Sequence, residues 1–200
     1  MNAALHRKLI EAATNAMIAH ADELTTLDQA IGDGDHGLNM RRGALAVLGQ
    51  LDDLATKPLP EALKAVGMTL VMKVGGASGP LYGTLFTTLG KELPAVPSHD
   101  DVVRAMGASI AAVKKIGRSD VGQKTMHDVL APTYEELATG GPGLRDRVRQ
   151  RAAAAADATV PMKAIKGRAS FLGERSIGHM DPGARSSSLM IGAICMAMEE

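Results

Sequence analysis

The chain has 200 residues, of which 46% are apolar and 22% charged, and its formal net charge at pH 7 is zero. This composition excludes disorder as the overall state, and the zero net charge argues against a broad basic surface for nucleic acid or a membrane. The one cysteine, Cys195, excludes an internal disulfide and a cysteine zinc cluster, and it suits a reducing compartment, the cytoplasm.

The apolar residues favour helices over strands. Twelve methionines stand against no tryptophan, two tyrosines and two phenylalanines, whereas strands favour aromatic and β-branched residues. Apolar side chains recur every three or four residues in residues 5–17, 45–55 and 102–113, which is the period of a helix. Residues 189–198 are the most apolar run. Because a membrane span takes about 20 residues, we expect a buried helix there.

Proline, glycine and capping residues separate these helices. Pro60 suits the first position of a helix, and Ser98 with Asp101 resembles a capping box. Residues 139–143 are a glycine-rich turn between two helical patterns. No repeat or linker is present, so we predict one domain over residues 1–200, a bundle of about seven or eight helices.

Four segments break the helical pattern: residues 28–39, 75–83, 117–126 and 166–183. Each is rich in glycine, charged residues and hydroxyl groups. Loops at the same end of a bundle can converge, and loops on rigid scaffolds often carry function. The sequence therefore predicts one site built from these four loops.

The first segment places Asp28, Asp33 and Asp35 within eight residues. Clustered carboxylates raise one another's pKa unless a cation compensates, and Mg²⁺ is commonly shared between carboxylates and substrate phosphates. A solvated Asp-Gly turn fits the same residues, and spacing alone leaves both interpretations open. A calcium-binding EF-hand is excluded, because positions six and twelve from Asp33 are Leu38 and Ala44 instead of Gly and Glu.

The second and third segments suit helix N-termini. Pro80 resembles the first residue of a helix, and Ser78 shortly precedes it. The free N–H groups at a helix start attract phosphate. An ordinary glycine-rich helix start without a ligand is the alternative. Residues 117–125 nearly match the Walker A pattern. Gln123 separates the glycine from the lysine, and the preceding stretch is helical, so a P-loop is excluded. A loop–helix junction with Thr125 near the helix start can still bind a nucleotide.

The fourth segment is a long polar loop, and in a compact protein such loops are usually functional or disordered. Its arginines, Arg168 and Arg175, can clamp phosphate oxygens in a bidentate way. The alternative is a surface loop held by salt bridges, for example at Glu174.

Taken in order, four motifs resemble the nucleotide-binding L subunit of dihydroxyacetone kinase: Gly-Asp-Gly-Asp-His-Gly-Leu-Asn, Gly-Gly-Ala-Ser-Gly-Pro-Leu-Tyr-Gly-Thr, Lys-Thr-Met-His-Asp-Val-Leu-Ala-Pro and Lys-Gly-Arg-Ala-Ser-Phe-Leu-Gly-Glu-Arg-Ser-Ile-Gly-His. The resemblance spans nearly the whole chain. It implies an all-α fold, an eight-helix antiparallel up-and-down barrel with the nucleotide at one rim.

The resemblance also implies a set of site residues. Two Mg²⁺ ions are expected on Asp28, Asp33 and Asp35, and Arg168 is expected closest to the transferring phosphoryl group, as the catalytic residue. The nucleotide, ADP or ATP, is expected to contact His36, Gly37, Leu38, Asn39, Ala77, Ser78, Gly117, Thr125, Met126, Arg168, Asp181, Pro182 and Gly183.

One departure from the family pattern is visible in the third segment. The family commonly has Gly-Asp-Lys-Thr-Met there, and this chain has Gln123 in place of that aspartate. The change removes a negative charge near the expected purine side and weakens the case for Thr125, but it leaves the expected metal ligands untouched.

The resemblance implies transfer of a phosphoryl group to dihydroxyacetone held on a separate K subunit. In one version, bound ADP is recharged by a phosphohistidine protein of the phosphoenolpyruvate phosphotransferase system; in another, ATP exchanges freely and the acceptor is dihydroxyacetone or a four-carbon ketose. A third hypothesis is an ADP-bound regulatory protein that docks on a transcription factor. A fourth is a metal-binding bundle without catalysis.

Overall fold

The computed structural model describes residues 3–198, and every regular element in this range is helical. The all-α prediction is therefore confirmed. The bounds of the elements are α1 Ala3–Ala19, α2 Ala21–Ile31, α3 His36–Leu48, α4 Leu51–Thr56, α5 Leu59–Lys73, α6 Ser78–Glu92, α7 His99–Gly117, α8 His127–Thr139, α9 Leu144–Asp157, a 3-10 segment Arg168–Ser176 and α10 Pro182–Ala197.

The described residues contain more helices than the periodicity predicted. Only His20 separates α1 from α2, and α4 has just six residues. Residues 166–183, predicted as a loop, include the 3-10 segment, which is kinked at Gly173 with φ at 58°. The eight-helix barrel implied by the resemblance stays a prediction.

Capping residues set several helix ends. The Ser98 hydroxyl accepts a hydrogen bond from the Asp101 N–H at 3.2 Å, and the Asp101 carboxylate accepts one from the Ser98 N–H at 3.0 Å, so the predicted capping box is confirmed. Pro60 lies at the second position of α5, one residue later than predicted. Asp181 caps α10 by accepting a hydrogen bond from the Ala184 N–H at 2.7 Å.

Glycines let α5 and α6 approach closely. A Cβ at Gly67 would lie 2.7 Å from the carbonyl oxygen of Gly83, and a Cβ at Gly90 would lie 2.5 Å from that of Pro60. No side chain fits at these contacts, because both distances are shorter than van der Waals contact. The short connection between the two helices, residues 74–77, is therefore anchored on both sides.

One group of buried apolar side chains joins α1 through α8 with α10. It includes Met17, Leu54, Val113 and Met190, and burial of each such side chain contributes about 1.5–3 kcal/mol. A smaller group packs alanines of α9 against Val129. This shared core favours one domain over residues 1–200, which stays a prediction, since residues 1, 2, 199 and 200 lie outside the described range.

The apolar run predicted as a buried helix, residues 189–198, lies in the second half of α10 and at its C-cap, Met198. Among residues 3–198, no helix combines the length and the apolarity that crossing a membrane requires.

Candidate functional site

The four segments predicted to form one site meet in a cleft with a volume of about 460 Å³, which is within the range of small-molecule sites, about 300–1,000 Å³. The predicted site residues that line it are Asp28, Asp33, Asp35, His36, Ala77, Ser78, Gly117, Thr125, Met126, Arg168, Asp181, Pro182 and Gly183. The proximity of these residues is observed, whereas their roles as ligands stay predictions.

An acidic cluster lies at one side of the cleft. Asp28, Asp33 and Asp35 each offer one carboxylate oxygen, and these atoms all lie within 4.8 Å of one another. Asp28 is buried near the end of α2, while the other two are exposed. Its Oδ2 accepts hydrogen bonds from the backbone N–H groups of Asp35 at 2.9 Å and His36 at 3.0 Å. Three hard oxygen donors gathered in this way fit a divalent cation such as Mg²⁺.

Gly32 makes room for this cluster. A Cβ at this position would lie 2.1 Å from Oδ1 of Asp28, so the carboxylate can hold its place only beside glycine. The Gly32 N–H also donates to the Asp28 carbonyl oxygen at 2.5 Å, which ends α2. The chain then turns so that Asp33 and Asp35 face back toward Asp28.

Arg168 lies across the mouth of the cleft from α2. Its Nη1 is 2.9 Å from Oδ2 of Asp33, and its side chain is 67% exposed. Gly167, with φ at 68°, precedes it and turns the chain into the 3-10 segment. The guanidinium is therefore within reach of both the acidic cluster and a ligand entering from solvent.

His36 begins α3 and connects three elements of the site. Its Nδ1 lies 3.1 Å from Oγ of Ser78 on α6, and its Nε2 lies 2.9 Å from Oγ of Ser186 on α10. Burial lowers the pKa of His36, although the carboxylates of Asp28 and Asp35 act in the opposite direction. A neutral imidazole has one donor and one acceptor nitrogen, so it orients both serine hydroxyls.

Tyr82 extends this buried network and was not predicted as a site residue. Its hydroxyl lies 2.7 Å from Oγ of Ser186 and 2.8 Å from Oγ of Ser187. Burial raises its pKa to about 12, so the hydroxyl stays protonated and acts only through hydrogen bonds. The network fixes the start of α10, which carries Gly183, against α6.

The third segment is folded around Asp128, which was also not predicted as a site residue. Its Oδ1 accepts from the Gly122 N–H, and its Oδ2 accepts from the Thr125 N–H at 2.7 Å. Gln123, the residue that departs from the family pattern, closes the adjoining turn, since its Oε1 accepts from the Asp120 N–H at 3.0 Å. The Thr125 hydroxyl accepts from the backbone N–H of His127 at 3.2 Å and so serves the start of α8.

Asp181 lies between the third segment and α10. Enclosure by the surrounding protein raises the pKa of Asp181 to about 7, and the nearby carboxylate of Asp128 adds to the effect. The N–H of Ala184 and the ammonium of Lys124 act in the opposite direction. The carboxyl group is thus a proton-binding group at neutral pH on the wall of the cleft.

Three predicted nucleotide contacts lie outside the residues that line the cleft. Gly37 packs against α2, because a Cβ there would lie 1.9 Å from the Ala21 carbonyl oxygen. The Leu38 side chain is 59% exposed. Asn39 is buried and accepts a hydrogen bond from Nη2 of Arg42 at 2.8 Å. For these three residues, direct ligand contact stays a prediction.

Proteins of known function resemble this chain over most of its length. The ADP-binding subunit DhaL of PEP-dependent dihydroxyacetone kinase 1 from Listeria innocua serovar 6a is 45% identical over 172 residues, 86% of this chain and 84% of that protein. The ADP-binding subunit DhaL of the PEP-dependent enzyme of Escherichia coli strain K12 is 41% identical over 188 residues, 90% of each chain.

Longer proteins contain a similar region. The triokinase/FMN cyclase of Rattus norvegicus is 32% identical over 198 residues, 96% of this chain and 34% of that protein. The crystal structure of the dihydroxyacetone kinase from C. freundii in complex with AMP-PNP and Mg²⁺ superposes with a TM-score of 0.79 at 29% identity. The match covers 98% of this chain, which spans about a third of that kinase, 34% of its length.

The DAK2 domain matches residues 30–196, most of the chain and most of the cleft. On this match and on the identities to the DhaL subunits, the chain belongs to the DAK2 domain family.

Proposed function

We propose that the chain is the ADP-binding subunit of a dihydroxyacetone kinase, with Mg²⁺ held between the nucleotide phosphates and the acidic cluster. The observation that carries this proposal is the convergence of Asp28, Asp33 and Asp35, with ligand oxygens within 4.8 Å of one another, at the same cleft as Arg168. Metal-binding carboxylates and an arginine at one cleft are typical of phosphoryl-transfer sites, where catalysis is mostly positioning and charge neutralisation.

The residues of the chain supply most of that positioning. Asp28 is fixed by two backbone N–H groups, and Asp33 and Asp35 add exposed carboxylates, so that these three would hold two Mg²⁺ ions. When bound, Mg²⁺ neutralises phosphate charge and orients the transferring group. The fixed carboxylate of Asp28 reduces the rearrangement that binding requires.

The start of α6 is the proposed phosphate cradle. Ser78 is its first residue and follows the glycines of the second segment, so its N–H groups and positive dipole end suit an anion. Neutral His36 holds the Ser78 hydroxyl. Arg168 lies exposed at the mouth, where its guanidinium can donate to phosphate oxygens as negative charge shifts during transfer.

The proposed reaction needs two further protein partners. A phosphohistidine protein of the phosphoenolpyruvate phosphotransferase system transfers its phosphoryl group to the terminal oxygen of bound ADP and so forms ATP in place. The terminal phosphoryl group then passes to a hydroxyl of dihydroxyacetone on the K subunit, whose general base takes the hydroxyl proton, and ADP remains. The names of the DhaL relatives, which are PEP-dependent or, in Lactococcus lactis, PTS-dependent, support this sequence.

An ATP-dependent kinase subunit is the second candidate. The similarity to triokinase/FMN cyclase and to the C. freundii kinase that binds AMP-PNP and Mg²⁺ favours it. In that version free ATP enters the cleft, and dihydroxyacetone or a four-carbon ketose is the acceptor. Docking of the ADP-bound chain on a transcription regulator remains an expectation of the family resemblance, as does location in the cytoplasm.

Native mass spectrometry distinguishes the two candidates. The purified chain is measured before and after long dialysis against nucleotide-free magnesium buffer, and then after addition of ATP. We expect ADP and Mg²⁺ to survive dialysis. Nucleotide that washes out and exchanges with added ATP would favour the ATP-dependent kinase, and binding of neither nucleotide would contradict the proposed function.

A further inference from the structure

Lys124 is a buried cation whose acceptors are backbone carbonyl oxygens. Its side chain is 1% exposed. Its Nζ donates at 2.9 Å to the carbonyl of Thr159, at 3.0 Å to that of Met162 and at 2.8 Å to that of Ser176. The carbonyls of Val160, at 3.4 Å, and His179 complete a set of five. An ammonium group has three N–H donors, so the five oxygens share them around one positive charge.

These carbonyls flank residues 163–175, a stretch that includes the first part of the fourth segment, residues 166–183. Thr159, Val160 and Met162 follow α9. Ser176 is the last residue of the 3-10 segment, and His179 follows it. The ammonium therefore ties together the two ends of a loop whose middle carries Arg168. A hydrogen bond from the Gly178 N–H to the Val160 carbonyl at 2.9 Å joins the same two ends of this loop.

The backbone of Lys124 is shaped for this contact. Its φ is 61°, a left-handed conformation that is uncommon outside glycine and costs about 1–3 kcal/mol. Asp128 accepts hydrogen bonds from the N–H groups of Gly122 and Thr125 on either side of it, and the Ile165 N–H donates to the Gln123 carbonyl at 3.2 Å. The surrounding contacts thus impose a conformation that points the ammonium into the carbonyl set.

We propose that Lys124 is a positioning residue, a built-in cation that holds the fourth segment so that Arg168 faces Asp33 across the cleft. The proposal rests on the proposed function, since its consequence is the placement of the arginine that acts on the phosphoryl group. It assigns to Lys124 a role on backbone oxygens and none on the nucleotide phosphates, which distinguishes it from the lysine of a P-loop.

Chemical rescue tests this role. Lys124→Ala leaves a space lined by carbonyl oxygens that opens to the cleft, because Lys124 itself lines the cleft. Methylammonium fits that space and donates hydrogen bonds, whereas tetramethylammonium carries the same charge without an N–H donor. The two salts are compared at equal ionic strength. Lys163→Ala is the control for loss of a lysine charge. Lys163 lies just before the fourth segment, its side chain is 54% exposed, and its Nζ lies 3.9 Å from Oε1 of the exposed Glu174, a surface pair of little expected strength.

Two readouts are followed: hydrogen exchange of residues 163–175, and phosphoryl transfer in the complex with the K subunit and the phosphohistidine donor. We expect Lys124→Ala to speed exchange of the segment and to lower the transfer rate constant about 100-fold, since small misplacement of a catalytic group has effects of this size. ADP affinity should change less than tenfold. Methylammonium should restore exchange protection and at least a tenth of the rate, and tetramethylammonium should restore neither.

The possible results separate this inference from the proposed function. Provided that the wild-type complex transfers the phosphoryl group, the role of Lys124 would be overturned if Lys124→Ala left the transfer rate or the exchange rate unchanged. Equal rescue by both salts would also overturn it. No transfer by the wild-type complex would overturn the proposed function, while the exchange data would still test whether Lys124 orders the segment. If Lys124→Ala fails to fold, Lys124→Met is used instead, because it keeps the apolar part of the side chain. The proposed role then requires that Lys124→Met speed hydrogen exchange and lower the transfer rate constant by a comparable factor.

Discussion

Nη1 of Arg168 lies 2.9 Å from Oδ2 of Asp33, although the two residues come from the 3-10 segment near the end of the chain and from the turn after α2. This contact joins the residue proposed to act on the phosphoryl group to one of the proposed metal ligands. Both side chains are partly exposed, so the pair itself contributes little to stability, typically about 0–1 kcal/mol. Its value is geometric, because it places an exposed guanidinium at the mouth of the cleft.

Replacement of Arg168 separates transfer from binding. We expect Arg168→Ala to lower the rate constant of transfer about 10³-fold, because an arginine that stabilises a phosphoryl transition state is worth about 10³–10⁵. The dissociation constant of ADP should rise less than tenfold, since the proposed interaction strengthens only during transfer. Single-turnover kinetics and calorimetry measure the two effects.

Arg175→Ala is the control for that experiment, since Arg175 is exposed on the same 3-10 segment and does not line the cleft. It should leave both constants unchanged. Equal losses of rate and affinity in Arg168→Ala would show that Arg168 serves binding alone.

A single methyl group tests the geometry of the acidic cluster. In Gly32→Ala, the new Cβ would meet Oδ1 of Asp28 at 2.1 Å and must displace that carboxylate. We expect ADP affinity in the presence of Mg²⁺ to fall at least about tenfold, the scale of loss when a group that orients metal ligands is disturbed. Circular dichroism should show an intact helical fold.

Gly49→Ala is the matched control, because a Cβ there would meet its nearest neighbour at 3.5 Å, an ordinary contact. Its nucleotide affinity should equal that of the wild type. Wild-type affinity in Gly32→Ala would mean that Asp28 does not need this position to hold the metal.

The raised pKa of Asp181 predicts that the free energy of unfolding depends on pH. Its pKa is raised to about 7, above the value of about 3.9 for an exposed aspartate. Between these values the folded chain holds a proton that the unfolded chain releases. The stability from this group is therefore complete at low pH and is lost as the pH rises from about 4 to 8, through the pKa of the folded state.

Asp181→Asn removes this titration and keeps an oxygen that can accept from the Ala184 N–H. Without nucleotide, the wild type should lose stability relative to the variant between about pH 4 and 8, by at most about 4 kcal/mol. Urea unfolding at several pH values measures the difference. Parallel stability profiles of the two proteins would show that the carboxylate of Asp181 is ionised throughout this range.

The sequence and the family resemblance were sufficient to predict the helical class and many of the residues that line the cleft. Asp28, Asp33 and Asp35 come close because their spacing crosses the turn after α2, and three further glycine-rich polar segments marked the other walls. Successive positions at the start of α3 were harder to predict. Neighbouring helical residues point about 100° apart, so His36 faces the cleft while Leu38 faces solvent.

The residues that hold the site in place, without lining it as expected ligands, were harder to predict from the sequence. Lys124 contacts only backbone carbonyls among its observed acceptors, and every residue type carries such a group, so no pattern of side chains reveals its partners. Excluding a P-loop was consistent with the helix that precedes the segment, α7, but it left this lysine without a role. Tyr82 lies in the second segment, where the resemblance pointed to Ala77 and Ser78, and Ser186 lies in α10 beyond the fourth segment, so neither was predicted as a site residue.

The central claim, that the acidic cluster holds the metal of a bound nucleotide, is tested most directly by the Mg²⁺ dependence of ADP affinity. Calorimetric titration compares the wild type, Asp33→Asn and the control Asp22→Asn, each with Mg²⁺ and with excess chelator. We predict tight Mg²⁺-dependent binding by the wild type and the control, and at least about 100-fold weaker binding by Asp33→Asn with its helical fold intact. Equal affinity of wild type and Asp33→Asn, or affinity that does not depend on Mg²⁺, would contradict it.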